Sequence, residues 1–245
     1  MPFIIALTFL NILFIVHAAR TGRFTPWGWI MLALPGIGMW AYVLVELLPE
    51  WLNGRQGQRA RRQLGRALDP EKDWRALADA VEISDTIANR AALAEECLRL
   101  GYFAEALRHY EVILSRPMGD DPIYMVGKAR GEFGAGKPED AVATLDALRA
   151  RFPEYQSAEA HLLYARALEE AGRTDEALAE YEAVSNYYPG AEPKVRHGVL
   201  LHTLGRRAEA RALLSMVVAQ LRRAPKHAQQ LQAEWLTLAE KTLKA

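Results

Sequence analysis

Gly101-Tyr-Phe-Ala-Glu-Ala106, Gly136-Lys-Pro-Glu-Asp-Ala141, Gly172-Arg-Thr-Asp-Glu-Ala177 and Gly205-Arg-Arg-Ala-Glu-Ala210 decide the fold. Each stretch is a glycine followed five positions later by alanine, and the four glycines stand 35, 36 and 33 residues apart. A period of this length is the signature of one helical pair repeated along the chain. Working outward, the other positions agree. Seven residues before each glycine stands Ala94, Ala129, Ala165 or Gly198, small residues that let two helices approach closely. Nine residues after each stands Tyr110, Leu145, Tyr181 or Leu214, large side chains that fill the space between those helices. Pro117, Pro153 and Pro189 follow where a second helix must end. Glycine turns the chain between antiparallel helices, and Pro138 suits the first turn of the helix it opens.

Four residues in one register, four times over, resemble the tetratricopeptide repeat across about residues 86–220, in repeats at about 87–120, 122–155, 158–190 and 191–224. Two departures stand out: the early tryptophan of that family is missing, and its glycine at the eighth position is mostly alanine here. The resemblance implies an all-α solenoid filling residues 71–245, with a groove lined by the first helix of each pair that takes a protein or peptide partner. In this register Glu95, Arg130 and Arg166 occupy equivalent groove positions, and Arg99, Glu169, Arg196 and His202 are further groove candidates. Arg130 and Arg166, one repeat apart, suit the acidic side chains or C-terminal carboxylate of a bound peptide. The competing reading is that they pair with carboxylates on neighbouring helices, as surface arginines often do. The groove lacks the Lys/Asn pattern of repeats that clamp a chaperone tail. Asp73–Ile83 is expected to form a helix ahead of the first repeat. Lys226–Leu243, with Leu231, Trp235 and Leu238 at helical spacing, is expected to form one capping helix behind the last.

Toward the N-terminus the composition changes. Residues 1–50 contain only Arg20, Arg23, Glu46 and Glu50 as charges; residues 51–68 carry Arg55, Arg59, Arg61, Arg62 and Arg66 without an acid. Pro2–Ala19 and Trp27–Leu48 are apolar runs that reach about 27 and 33 Å as helices, the thickness of a bilayer core. They predict a two-helix transmembrane hairpin over residues 1–50, followed by a basic juxtamembrane linker over 51–70. The five arginines against two in the turn place the repeats on the cytoplasmic side of a bacterial inner membrane, and the same five are candidates for lipid headgroups. Pro35, Gly36 and Gly38 predict a kink in the second span, with the first helix close to the glycines. The run from the short first helix to Pro35, Gly38 and Tyr42 resembles the N-terminal membrane domain of cardiolipin synthases and phospholipase D-type proteins. The His-x-Lys signature of those enzymes is absent: no histidine of this chain is followed two positions later by lysine.

Little else suggests chemistry. There is no phosphate loop, no Gly-x-Ser-x-Gly and no His-Glu-x-x-His. His197 and His202, five apart, do not share a helix face. Cys97 is the only cysteine, so neither an internal disulfide nor a Cys-based zinc site is expected. Net charge is zero, so nothing draws the chain to nucleic acid. The sequence therefore predicts a membrane-anchored scaffold or adaptor, not an enzyme, with no cofactor and no metal, and with self-association left open. The alternative is an accessory protein that meets a lipid or a lipid enzyme through its hairpin.

Overall fold

In the computed structural model of the chain, residues 2–34, 36–47, 49 and 68–245 are described. They fall into two compact units, Met1–Lys72 and Asp73–Ala245.

In the first unit, α1 (Pro2–Arg20) is followed by α2 (Phe24–Ala33) and α3 (Ile37–Tyr42), which widens into a π-helical turn over Val43–Leu47. Ala18, Met31 and Tyr42 are fully buried where these elements meet, with Phe14 and Trp27 edge-on to the Tyr42 ring at 6.3 and 5.5 Å. Two polar residues of α1, Asn11 and His17, turn inward. Asn11 Nδ2 donates to the Met31 carbonyl at 3.2 Å, and His17 Nδ1 lies 3.1 Å from the Tyr42 hydroxyl.

The transmembrane expectation fails here: among the described residues no helix is long and apolar enough to cross a membrane. A span needs about 20 unbroken apolar residues. The second run is cut where Gly36 takes φ 92°, leaving the ten residues of α2 and the eleven of α3 with its π turn, each about half a bilayer core. In α1 the apolar run is interrupted by Asn11 and His17, both bonded to the other arm. The multi-pass inner-membrane placement is withdrawn with it. The glycines also differ from expectation, because a Cβ on Gly38 would meet Ile30 O at 2.7 Å and Met31 Cα at 2.8 Å. The close approach is thus to α2, not to the first helix. Arg55, Arg59, Arg61, Arg62 and Arg66 lie outside the described residues.

The second unit begins with α4 (Lys72–Ile83). Four helical pairs follow: α5 (Ile87–Leu100) with α6 (Phe103–Leu114), α7 (Pro122–Gly134) with α8 (Pro138–Arg151), α9 (Ala158–Glu170) with α10 (Thr174–Val184), and α11 (Glu192–Thr203) with α12 (Arg207–Arg223). Within each pair the turn has one geometry. Gly101, Gly136, Gly172 and Gly205 have φ of 72–81°, and the next residue's N–H reaches back five positions to a helix carbonyl at 2.8–2.9 Å. This left-handed cap satisfies carbonyls that the helix end would otherwise orphan. Fifteen residues before the first three glycines, Thr86, Asp121 and Ser157 cap the entering helix by accepting from Asn89, Ile123 and Ala160 N–H groups.

Successive pairs stack, α6 on α7, α8 on α9 and α10 on α11. Ala94, Ala129 and Ala165 are fully buried, as are Tyr110, Leu145, Tyr181 and Leu214 to within 2%. The expected capping helix is two: α13 (Lys226–Leu231) and α14 (Ala233–Lys244). The break falls at Gln232, whose side-chain carbonyl accepts the Ala191 N–H at 3.0 Å. Ala191 opens the one first helix without a Ser, Thr or Asp cap.

A candidate peptide-binding groove

The first helix α7 touches both α5 and α9, Arg166 of α9 reaches toward Glu192 of α11, and these four helices carry the groove candidates in two polar groups. In the first, Glu95 of α5 accepts the Tyr110 hydroxyl at 2.6 Å and Arg130 Nη1 of α7 at 2.9 and 3.0 Å. Both charged side chains are about half exposed. Arg99 turns to Glu96 on its own helix, at 2.8 and 2.5 Å.

The second group is built on α9 and α11. Glu169 accepts the Tyr181 hydroxyl at 2.6 Å. Arg196 donates to Glu192 at 2.7 Å and lies over the Trp235 ring of α14 at 5.1 Å. Arg166 is held differently. Its guanidinium lies 4.9 Å from the centre of the Phe133 ring and only 4.0 Å from Glu192, while its Nε is buried with no hydrogen-bond partner among the described residues. His202, in the last turn of α11, is half-buried.

The sequence places Tyr110 and Tyr181 as spacers between helices. They fill that role, and their hydroxyls also reach out to the groove carboxylates. Burial first, then the adjoining Glu95 or Glu169, pushes each hydroxyl well above its usual range, so both remain proton donors. The signal was present: repeats with Tyr at this position have Glu in the groove, and those with Leu145 and Leu214 do not pair so. The contacts of Arg166 with Phe133 and Glu192, and of Arg196 with Trp235, are not legible in the sequence because each joins two different helices.

A further cluster went unseen in the sequence. A cleft of about 680 Å³ opens between α8, the start of α9 and Tyr187. Arg149 stacks 4.0 Å over Tyr164 and grips Glu180 through two bonds of 2.8 and 2.9 Å. His161 hydrogen-bonds both Glu180 and Tyr187, and Tyr164 donates to Asp146 at 2.6 Å. Arg149 and His161 hold the Glu180 carboxyl down at about 2. The charges of this network meet one another, so it joins α8, α9 and α10.

Comparison with known proteins agrees with this architecture. A tetratricopeptide-repeat family profile matches residues 126–192, and a second matches 90–111 and 193–215. Among curated protein sequences nothing matches. A thermophilic TPR protein of Thermus thermophilus superposes with a TM-score of 0.55 at 20% identity, over 76% of this chain and 97% of that one. YrrB, described as a TPR protein with an unusual peptide-binding site, superposes with a TM-score of 0.54 at 18% identity, over 75% and 88%. At such identities the likeness concerns the fold. Neither comparison supports the resemblance of residues 3–48 to the membrane domain of lipid enzymes. Profile matches, helical pairs and the solved relatives converge on one statement: this chain carries tetratricopeptide repeats, stacked as an all-α solenoid.

Proposed function

We propose that the protein is a scaffold whose repeats take a segment of a partner protein along the face of α5, α7, α9 and α11. The observation that carries this is Arg166. A guanidinium stacked on Phe133, with a buried Nε and a carboxylate no nearer than 4.0 Å, retains donors for an incoming carboxylate. Glu192 is already bonded by Arg196, and Arg130 by Glu95. Arg166 is therefore the anchor for an acidic side chain or chain end, with the Phe133 ring beneath its guanidinium. Repeats of this kind bind protein or peptide partners generally, and the reading assigns the chain no enzymatic step.

Comparative co-purification tests it. Arg166→Glu is expected to lose partners that the wild type retains, while Arg130→Glu, which breaks an existing internal pair, weakens capture less. Circular dichroism should be unchanged in both. Identical partner sets for wild type and Arg166→Glu overturn the groove assignment.

A second reading rests on the first unit. Phe9, Ile12, Leu13 and Val16 are 47–67% exposed along one face of α1 and border a shallow cleft with His17 and Arg20. Such a face fits lipid acyl chains without spanning a bilayer. Wild-type protein should then float with phospholipid vesicles, and Leu13→Asp/Val16→Asp should not. Wild type that stays at the bottom of the gradient discards this reading.

A further inference from the structure

The first repeat holds a cluster that the groove does not use. Cys97 of α5 and Glu105 and His109 of α6 bring a sulfur, a carboxylate oxygen and an imidazole nitrogen within 4.8 Å of one another. We propose that these three side chains bind a divalent transition-metal ion of the zinc type, with water in the fourth position.

Glu105 and His109 are one helical turn apart and so share a face of α6, with His109 Nε2 3.9 Å from Glu105 Oε1. Zinc bonds of about 2.0–2.3 Å in a tetrahedron set neighbouring ligand atoms roughly 3.3–3.8 Å apart. Closing the trio onto a metal therefore asks for side-chain shifts of about 1 Å or less, within rotamer adjustment. Cys97 is fully buried, whereas the side chains of Glu105 and His109 are 27% and 14% exposed, so the ion arrives from the α6 side.

Trp74 of α4 supplies an independent observation. Its indole Nε1 is buried with no hydrogen-bond partner among the described residues, and its ring packs against the core cluster that contains Cys97. An unpartnered N–H in that cluster is a donor available to the thiolate that a metal requires, as outer-sphere donors are at metal centres. One soft thiolate with an imidazole and a carboxylate in tetrahedral array selects zinc over the all-oxygen environments of magnesium and calcium. The sequence expectation of no Cys-based zinc site presumed several cysteines; a mixed set needs only one.

Arg90 opposes loading. Its Nη1 lies 3.2 Å from His109 Nδ1, while Asp85 holds the same guanidinium at 2.5 and 2.9 Å. With metal on Nε2, Nδ1 must carry a proton, so Arg90 must give up that contact and rest on Asp85. Arg108 adds a second nearby cation. Arg90 thus sets the affinity without touching the metal.

The test uses full-length, tag-free protein, stripped with chelator, kept reduced and titrated with Co²⁺ alone. Wild type is expected to bind one equivalent, with a thiolate-to-cobalt charge-transfer band in the near ultraviolet and the visible bands of four-coordinate Co²⁺. Cys97→Ser should abolish the charge-transfer band. Glu105→Gln and His109→Gln should each weaken binding by at least about tenfold, the lower end of losses seen even for outer-sphere changes. Arg90→Gln should tighten it, and an unchanged affinity there overturns the role given to Arg90. Circular dichroism checks that each variant folds. Should Cys97→Ser not fold, the wild-type titration decides by itself. No charge-transfer band at stoichiometric Co²⁺, or a band indifferent to both Glu105→Gln and His109→Gln, overturns the site.

Discussion

Two glycines in successive repeats do different work, and substitution separates them. Gly172 has φ 75°, and a Cβ there would meet nothing within 4 Å. Gly172→Ala is therefore expected to cost about 1–2 kcal/mol through the left-handed backbone alone. Gly198 lies within α11, where a Cβ would fall 2.5 Å from Leu214 Cδ2. Leu214 is 1% exposed and has nowhere to go, so Gly198→Ala costs about 1–3 kcal/mol through overpacking. Urea unfolding measures both, and a neutral Gly198→Ala would mean that the α11–α12 contact yields. Both roles are legible in the sequence, because turn glycines recur at one offset and small residues, Ala94, Ala129, Ala165 and Gly198, at another. The groove pairings were not: that Arg130 meets Glu95 while Arg166 meets Phe133 depends on which side chains of adjacent helices reach across, and neither spacing nor charge encodes this.

Between elements, the ties are made by groups that lie far apart in the chain. Glu180 joins α10 to Arg149 of α8 and His161 of α9. Its carboxyl is held at about 2, below the ordinary 4.5, so the folded state favours the ionised form. The resulting stability is present above pH 4.5 and is lost as pH falls from there toward 2. Glu180→Gln should accordingly be less stable than wild type at pH 7, by of order 1–2 kcal/mol after discounting for the partly exposed Arg149. The gap between the two melting temperatures should narrow as pH drops through that window, and a gap constant with pH would assign the loss to packing. A second tie is the cap that α11 borrows. Gln232→Ala removes the acceptor of the Ala191 N–H and should cost about 1 kcal/mol, as loss of an N-cap does, whereas Gln230→Ala on the same short helix should be nearly silent. The sequence predicted one capping helix because Leu231, Trp235 and Leu238 keep helical spacing. The break at Gln232 arises because that residue serves a helix about forty positions away, a demand no local pattern displays.

Over the whole repeat unit, stability is a chain of neighbour contacts, since each pair buries its apolar face only against the next. Val195, Leu214, Val217, Val218 and Leu221 are covered by α14 through Ala239, Trp235, Leu236, Leu238 and Leu243. Ending the chain after Ala224 should expose this cluster, lower the unfolding midpoint and promote association, with α11 and α12 losing amide protection first; unchanged protection there would show that the last pair stands without its cover. By itself the sequence determined the repeat: the glycine turns, the small and large residues between helices and the four helical pairs all follow from offsets within about 35 residues. It also showed the apolar character of the first fifty residues. The tertiary structure decided what local periodicity cannot hold: the break at Gly36 that leaves two short helices in place of a span, the borrowed cap at Gln232, the charges that cancel and the arginine that keeps free donors. Periodicity reports how a helix faces its neighbours, whereas pairing and continuity depend on distances between residues that only folding brings together.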